Sequence, residues 1–461
     1  MSKKEEVFET SFHSTNYNSL DVDFKTAVLQ GQAIDNGLYM LNNIPSLTDE
    51  TIDSFKNMNF IDIANIVISK FIGNIISGEK LQQIVNKALN FEISLENIAN
   101  NDYICYLDRG PTCSFKDFGA RTLARIMEHF LEADNKNITI LTATSGDTGG
   151  AVAQAFYKMS RIKVVVLYPK NEISDLQRKQ MTTLGENIIA FGIKGKFDDC
   201  QKLVKTAFAD KELNHVNLSS ANSINIGRLM PQTLYYFWSY SRIVGKKNEK
   251  VIFSVPSGNF GNLTGGLIAK KMGLPIKRFI SAVNENNEFP TFLRTGIYNK
   301  VDPSINCISN AMNVGHPSNL ARIFDLYEGQ IDEKGVIHRV PNMEELRNDI
   351  ISYSISDEAT KDAIVSFYNK YKKIIEPHGA VGWAALQQYR NSYPKNNDIK
   401  SITYETADPS KFPEEIIKLI DVVPEMPYSL KIIQDKSEFP NSKEIGEYTA
   451  FKEFLLENFP S

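Results

Sequence analysis

An α/β fold, with mostly parallel sheets covered by helices on both faces, is predicted by three observations. Short β-rich runs recur from about residue 100 onward, at residues 138–143, 163–168, 188–191, 251–255 and 278–283. Turns rich in glycine follow two of them, at 146–150 and 256–262. Stretches with helical spacing separate the runs. Strands that stay apolar without polar alternation are buried on both faces, which is the pattern of parallel sheets joined by crossover helices.

The elements follow in order. Residues 8–41 read as short strands and turns, with Asp35-Asn36-Gly37 as a turn. Residues 49–98 read as helices. Ile52, Phe55, Met58 and Phe60, then Ile63, Ile66, Val67 and Phe71, then Leu81, Ile84, Val85 and Leu89 lie largely at spacings of three and four and give buried faces. Helices are expected over 151–159 and 200–209, and from the second glycine-rich turn to Met272. The charged segment 325–350 reads as a surface insertion, and 343–376 as a return to helices. At 461 residues the chain holds roughly three domains of about 150 residues each.

Composition narrows the function. Hydrophobic residues make up 42% and charged residues 23%, as in soluble globular proteins. The net charge of -4 and the lack of a basic region argue against nucleic acid or an anionic membrane as the main partner. Met1-Ser-Lys-Lys-Glu-Glu leads into no apolar run, so no secretory signal is expected, and no stretch reaches the roughly 20 apolar residues of a membrane span. Cys105, Cys113, Cys200 and Cys307 form no CxxC pair, so neither a zinc site nor a disulfide framework is expected. A cytoplasmic, reducing location fits. Cys113 reads as a small packing residue rather than a nucleophile.

The most informative segment is Gly110-Pro-Thr-Cys-Ser-Phe-Lys-Asp-Phe-Gly-Ala-Arg121. Lys116 stands at the start of an expected helix, beside Phe115 and Asp117. A primary amine next to an aromatic ring and a fixed carboxylate suits a Schiff base to an aldehyde cofactor. A solvated surface lysine is the bland alternative.

Two turns suit the same cofactor. Thr142-Ala-Thr-Ser-Gly-Asp-Thr-Gly-Gly150 joins a strand to a helix whose first N–H groups are unpaired and attract a carboxylate or phosphate. A plain N-cap by Ser145, Asp147 or Thr148 is the alternative. Pro256-Ser-Gly-Asn-Phe-Gly-Asn262 repeats the geometry without a GK[ST] or GxGxxG motif, which fits a single phosphate such as that of pyridoxal 5'-phosphate. In Asn222-Ser-Ile-Asn-Ile-Gly-Arg-Leu-Met-Pro231, Arg228 offers a fork for phosphate or carboxylate, or else a surface ion pair. Tyr404-Glu-Thr-Ala-Asp-Pro-Ser-Lys-Phe-Pro413 is a hydroxyl-rich turn after a strand.

Together, and in this order, these segments resemble the threonine synthases, pyridoxal-phosphate enzymes of fold type II. The resemblance covers nearly the whole chain. It includes Ser14-Thr15, Gly37-Leu38-Tyr39, residues 311–319, Pro377-His378 and Ala380-Val381-Gly382. The long N-terminal region is similar to that of the bacterial and fungal branch. The resemblance implies a fold like that of the tryptophan synthase β chain, with two doubly wound α/β domains and an N-terminal domain. The implied bounds are 1–98 for the N-terminal domain, 99–240 for a smaller mobile domain and 241–461 for a larger one.

The resemblance also implies roles. Lys116 carries pyridoxal 5'-phosphate and is the catalytic base, and Phe115 lines the ring. Ser257, Gly258, Asn259, Phe260, Gly261 and Asn262 hold the cofactor phosphate, Thr406 meets the pyridine nitrogen, and Asp147 falls near the ring hydroxyl. Thr144, Ser145 and Thr148 bind the substrate carboxylate, and Arg228, Ser114 and Asn225 help hold the substrate phosphate. No metal is implied. The chain departs from the family pattern at Ile226-Gly227, Asn313, His316, Gly379 and Asp408, and at Asp147, where many relatives have Asn.

The implied reaction converts O-phospho-L-homoserine and water to L-threonine and phosphate, the last step of threonine biosynthesis, by γ-elimination and β-hydration. A monomer or weak homodimer is expected. Two alternatives remain: a related phospho-lyase that releases a 2-oxo acid, ammonia and phosphate from a phospho-amino acid, and a non-catalytic metabolite-binding relative. The second has no need of Lys116.

Overall fold

The computed structural model of the chain describes residues 10–439, 444–445 and 447–459. The charged start, Met1 to Glu6, lies outside them.

Near the N-terminus, β1 (Ser11–Ser14) pairs antiparallel with both β2 (Val22–Asp23) and β3 (Tyr39–Leu41). The helix Phe24–Gln30 intervenes, capped by the Asp23 side chain, which accepts from Thr26 N at 2.8 Å. Sequence alone predicts no helix there, because seven residues are too few to display a period. The Leu38 N–H donates to Thr15 Oγ1 and the Thr15 N–H to the Leu38 carbonyl, both at 2.9 Å. A Cβ at Gly37 would overlap Ser14 Oγ, so these quoted residues join the small sheet to its turn.

Helices Asp49–Ser54, Phe60–Ile72 and Gly78–Ala88 follow, as the spacing predicts. The helical expectation overruns at its end. β4 (Ser94–Ala99) forms an antiparallel hairpin with β5 (Asp102–Tyr106), and that pairing decides its conformation. β6 (Ile138–Ala143), β7 (Ile162–Pro169), β8 (Ile188–Ile193) and β9 (Leu218–Ser219) come next, with helices between them. β10 (Val251–Pro256) and β11 (Ile276–Val283) lie on either side of the helix Gly261–Lys271. The charged segment contains the hairpin of β12 (Gln330–Ile331) and β13 (Ile337–Arg339). β14 (Ile350–Ser354) interrupts the helices expected over 343–376, because it pairs in parallel with β11. β15 (Ser401–Glu405) and β16 (Glu444–Ile445) come last.

Two larger sheets result. One has the order β14-β11-β10-β15-β5-β4, parallel except for β4, and the other β16-β8-β7-β6-β9, parallel throughout. Membership is not contiguous along the chain. β5 belongs to the first sheet and β16 to the second, so divisions at 98/99 and 240/241 do not follow the sheets.

Buried aromatic rings back the first sheet. Tyr404 of β15 lies 5.2 Å from Tyr235 and 5.0 Å from Tyr236, and Phe118 lies 5.3 Å from Tyr235. Edge-to-face pairs of this kind contribute beyond their buried area. They tie the helix that starts at Lys116 to the strand that ends before Thr406. No helix among the described residues is long and apolar enough to cross a membrane.

Candidate active site

Ligands of open parallel sheets bind beyond the carboxyl ends of the strands. Here the segment after β5 carries Lys116, that after β6 carries Thr144 to Thr148, that after β10 carries residues 257–262, and that after β15 carries Thr406. All four meet at one cavity of about 130 Å³. It opens into an outer cavity of about 490 Å³, with Phe197, Gln201, Asn222 and Ile224 lining both.

Lys116 is the first residue of the helix Lys116–Asp134. Its Nζ lies 5.8 Å from the centre of the Phe115 ring. No hydrogen bond or ion pair engages that amine among the described residues. Burial pulls its pKa down to about 8, with Lys411 and Arg228 adding to the effect and Asp147 and Glu376 opposing it. The flanking Asp117 does not serve as its counter-ion. Asp117 accepts from Thr112 N and Thr112 Oγ1, both at 2.8 Å, and so closes the loop before the helix.

The carboxylate that does face the cavity is Asp147. Burial alone would raise its pKa, but Lys411, Lys116 and His378 hold it well below the usual carboxylate range. Lys411 Nζ sits 2.5 Å from Asp147 Oδ1, and Gln177 Nε2 donates to the same oxygen at 3.0 Å.

Capping of the helix Asp147–Phe156 falls to Thr144. Its Oγ1 accepts from Gly146 N at 3.0 Å and Gly149 N at 2.8 Å. Gly146 adopts φ +128°, and a Cβ there would meet the Gln177 side chain. Ser145 and Thr148 are left with hydroxyls on the cavity wall. In the second turn, Phe260 takes the left-handed conformation, and the helical ladder begins with Thr264 N to Phe260 O at 2.9 Å. The N–H groups of Gly261, Asn262 and Leu263 precede that ladder. A Cβ on Gly258 would lie 2.8 Å from Met312 Cα, so only glycine fits there.

Arg228 is buried against Gly119, where a Cβ would lie 2.6 Å from the Arg228 carbonyl oxygen and 2.9 Å from Nε. Its Nη1 donates to the Ala221 carbonyl at 2.5 Å, and burial lowers its pKa to about 10. Thr406 Oγ1 donates to Glu376 Oε1 at 3.2 Å.

Three expected site residues stand behind the cavity rather than on it. Ser114 is buried, and its Oγ accepts from Lys116 N at 3.4 Å. Ser257 Oγ donates to the Val255 carbonyl at 2.8 Å. Asn225 caps the helix Ile226–Leu229, with its amide donating to Val28 O and Ser220 O, both at 2.9 Å. Sequence reasoning overlooked Lys411, Gln177, Gln232 and Glu376, and gave no role to His378. The only local signals were Pro377-His378 and the 406–413 stretch that contains Lys411.

The cavity fits an anionic ring cofactor. Besides the unpaired Lys116 amine, Arg228 Nε, Asn222 Oδ1, Gln232 Oε1 and Asn262 Nδ2 are buried on its wall without hydrogen-bond partners. Buried polar atoms are rarely left unpaired, so such a group of them marks a place for a polar ligand.

Two family models match the chain: "Pyridoxal-phosphate dependent enzyme" over residues 96–402 and "Threonine synthase N terminus" over residues 11–89. The chain is 40% identical to the threonine synthase of Buchnera aphidicola subsp. Schizaphis graminum (strain Sg), over 97% of this chain and 99% of that protein. It is 38% identical to that of Escherichia coli (strain K12), over 91% and 92%. Among solved structures, Escherichia coli threonine synthase superposes with a TM-score of 0.87 at 35% identity, over 97% of this chain and 99% of that one. A pyridoxal-phosphate-bound threonine synthase from Brucella melitensis gives 0.90 at 29%, over 98% and 100%. Maize serine racemase, at 16% identity and 0.51 over 71% of this chain and 91% of that one, shares the fold alone.

Proposed function

The chain belongs to the threonine synthase family of pyridoxal-phosphate-dependent enzymes, and on that premise we propose how its residues divide the conversion of O-phospho-L-homoserine and water to L-threonine and phosphate. The observation that carries the reading is the meeting of the unpaired Lys116 amine, the 257–262 turn, Thr406 and Arg228 at one cavity.

Lys116 holds the cofactor aldehyde, and Phe115 borders its ring. The free N–H groups of the 258–262 turn hold the cofactor phosphate, with Ser257 bracing the turn from behind. Thr406 faces the pyridine nitrogen, and Asp147 the ring-hydroxyl side. Ser145, Thr148 and the adjacent helix start receive the substrate carboxylate, while Thr144 shapes their turn. Arg228 receives the substrate phosphate. Asn225 and Ser114 act through backbone they fix, Asn225 for Arg228 and Ser114 for Lys116.

Pyridoxal phosphate, when bound, takes up the electron pairs left as protons are removed. The protons themselves belong to Lys116. Its pKa, lowered to about 8, makes far more of the amine neutral near pH 7 than the ordinary value of 10.5 would, as a base must be. Once the substrate's own amine has displaced it from the aldehyde, the Lys116 amine would take the α-proton, pass it to the cofactor's aldehyde carbon and, neutral again, take a β-proton. Arg228 and the helix N–H groups stabilise the charge on the departing γ-phosphate. Burial of the site keeps bulk water away until one molecule adds at the β-carbon.

All four cysteines are free and buried, which supports a cytosolic location. A monomer or weak homodimer is proposed as the working form. The experiment is to follow threonine and phosphate release together from O-phospho-L-homoserine. Equal release supports the reading, and a 2-oxo acid with ammonia in place of threonine would favour the phospho-lyase.

A further inference from the structure

We infer that Glu376, acting through Thr406, fixes the direction of the hydrogen bond offered to the cofactor's ring nitrogen and thereby holds that nitrogen protonated. The inference rests on the placement of Thr406 proposed above.

A hydroxyl is ambivalent. It can donate to an unprotonated pyridine nitrogen or accept from a protonated one. Which it does depends on its other partner. Here that partner is the buried Glu376, whose Oε1 lies 3.2 Å from Thr406 Oγ1.

Four donors converge on this carboxylate. Oε1 accepts from Gly379 N at 3.0 Å as well as from Thr406, and Oε2 accepts from His378 N at 2.7 Å and His378 Nδ1 at 2.5 Å. The ring of His378 cannot reverse its part. Its Nε2 accepts from the Ala311 backbone N–H at 3.1 Å, and a backbone N–H can only donate. So Nδ1 carries the proton and Glu376 must accept it.

The direction therefore runs from a backbone amide through His378 and Glu376 to Thr406. If the Thr406 proton pointed into the cavity instead, a lone pair and a carboxylate oxygen would face each other at 3.2 Å in a buried place. With its proton on Glu376, Thr406 has only lone pairs left for the ring nitrogen, which must bring the proton. Glu376 is thus a positioning residue, since it acts through Thr406.

The substitution Glu376→Gln reverses the relay without changing size. His378 N and Nδ1 both donate to one side and Gly379 N alone to the other, so the amide oxygen turns to His378, and its NH₂ faces Thr406 and leaves the Gly379 N–H without its acceptor. Thr406 must then accept, and its proton turns to the cavity.

The test is ¹⁵N NMR of holoenzyme loaded with ring-nitrogen-labelled pyridoxal phosphate. The native protein should give the shift of a pyridinium, E376Q a shift towards that of a neutral pyridine, and Thr406→Val a shift different from native. A pyridine-type shift in the native protein overturns the inference, and that measurement stands even if E376Q fails to fold. If T406V moves the shift and a folded E376Q does not, the direction-setting role of Glu376 is wrong. If T406V leaves the shift at its native value, the placement of Thr406 itself is wrong.

Discussion

Lys411 Nζ lies 2.5 Å from Asp147 Oδ1, with the two side chains 0% and 3% exposed. Asp147 follows β6 of the five-stranded sheet and Lys411 follows β15 of the six-stranded one, so this ion pair bridges the two sheets beside Lys116. Lys411 also donates to the Thr112 carbonyl at 3.1 Å, which ties in the loop before Lys116.

Removing one member of a buried pair strands the other charge. Lys411→Met should lower stability by about 3–5 kcal/mol, seen as a drop in the denaturant midpoint. The pair also sets an acid limit. Asp147 is held below its ordinary value of 3.8, so its stabilisation is complete above that pH and is lost as pH falls through the depressed folded value. The acid-side decline should be shallower in Asp147→Asn than in the native protein. An equal decline in both would separate the pair from acid stability.

Lys116 gives the opposite dependence. Its folded value of about 8 lies below the ordinary 10.5, so the unfolded chain binds more protons between those limits and stability rises with pH there. Lys116→Met should therefore stabilise the cofactor-free protein at pH 7, by at most about 3 kcal/mol. The gain should shrink as pH rises from 8 towards 10.5. Thermal melts of both proteins across that range check it, and a gain constant with pH would refute it.

Gly379 and Glu405 form a matched pair. A Cβ at 379 would overlap Glu405 Oε2, while Glu405 Oε1 accepts from Glu376 N at 2.6 Å. Gly379→Ala should cost about 1–3 kcal/mol by overpacking. In the Glu405→Ala background the same change should cost much less, a coupling that a double-mutant cycle reads directly.

Arg228→Lys keeps the charge and loses the fork. A hydrogen bond to a charged group contributes about 1.5–3 kcal/mol, so kcat/KM for O-phospho-L-homoserine should fall by about tenfold to a hundredfold. An unchanged kcat/KM would place the substrate phosphate elsewhere.

The parts of the site legible in the sequence were local ones. Lys116 beside Phe115, and both glycine-rich turns, announce themselves because a strand end, a turn and a helix start lie within a few residues. The strands were legible because runs such as Ile138–Ala143 are buried on both faces. What could not be read was pairing across the chain. Asp117 sits next to Lys116 in sequence, yet its carboxylate belongs to Thr112, and the acid facing the cavity is Asp147, 31 positions after Lys116. Glu376 and Lys411 reach the site only because β15 lies between β10 and β5. For the same reason β4 and β14 became strands by pairing, against a helical expectation.

The most direct test of the account follows threonine and phosphate release from O-phospho-L-homoserine by the native holoenzyme and by Lys116→Ala, with the visible band of the bound cofactor recorded in both. The native protein should release the two products equally. In Lys116→Ala, turnover and the band of lysine-bound cofactor should both be lost. Full turnover in Lys116→Ala would contradict it.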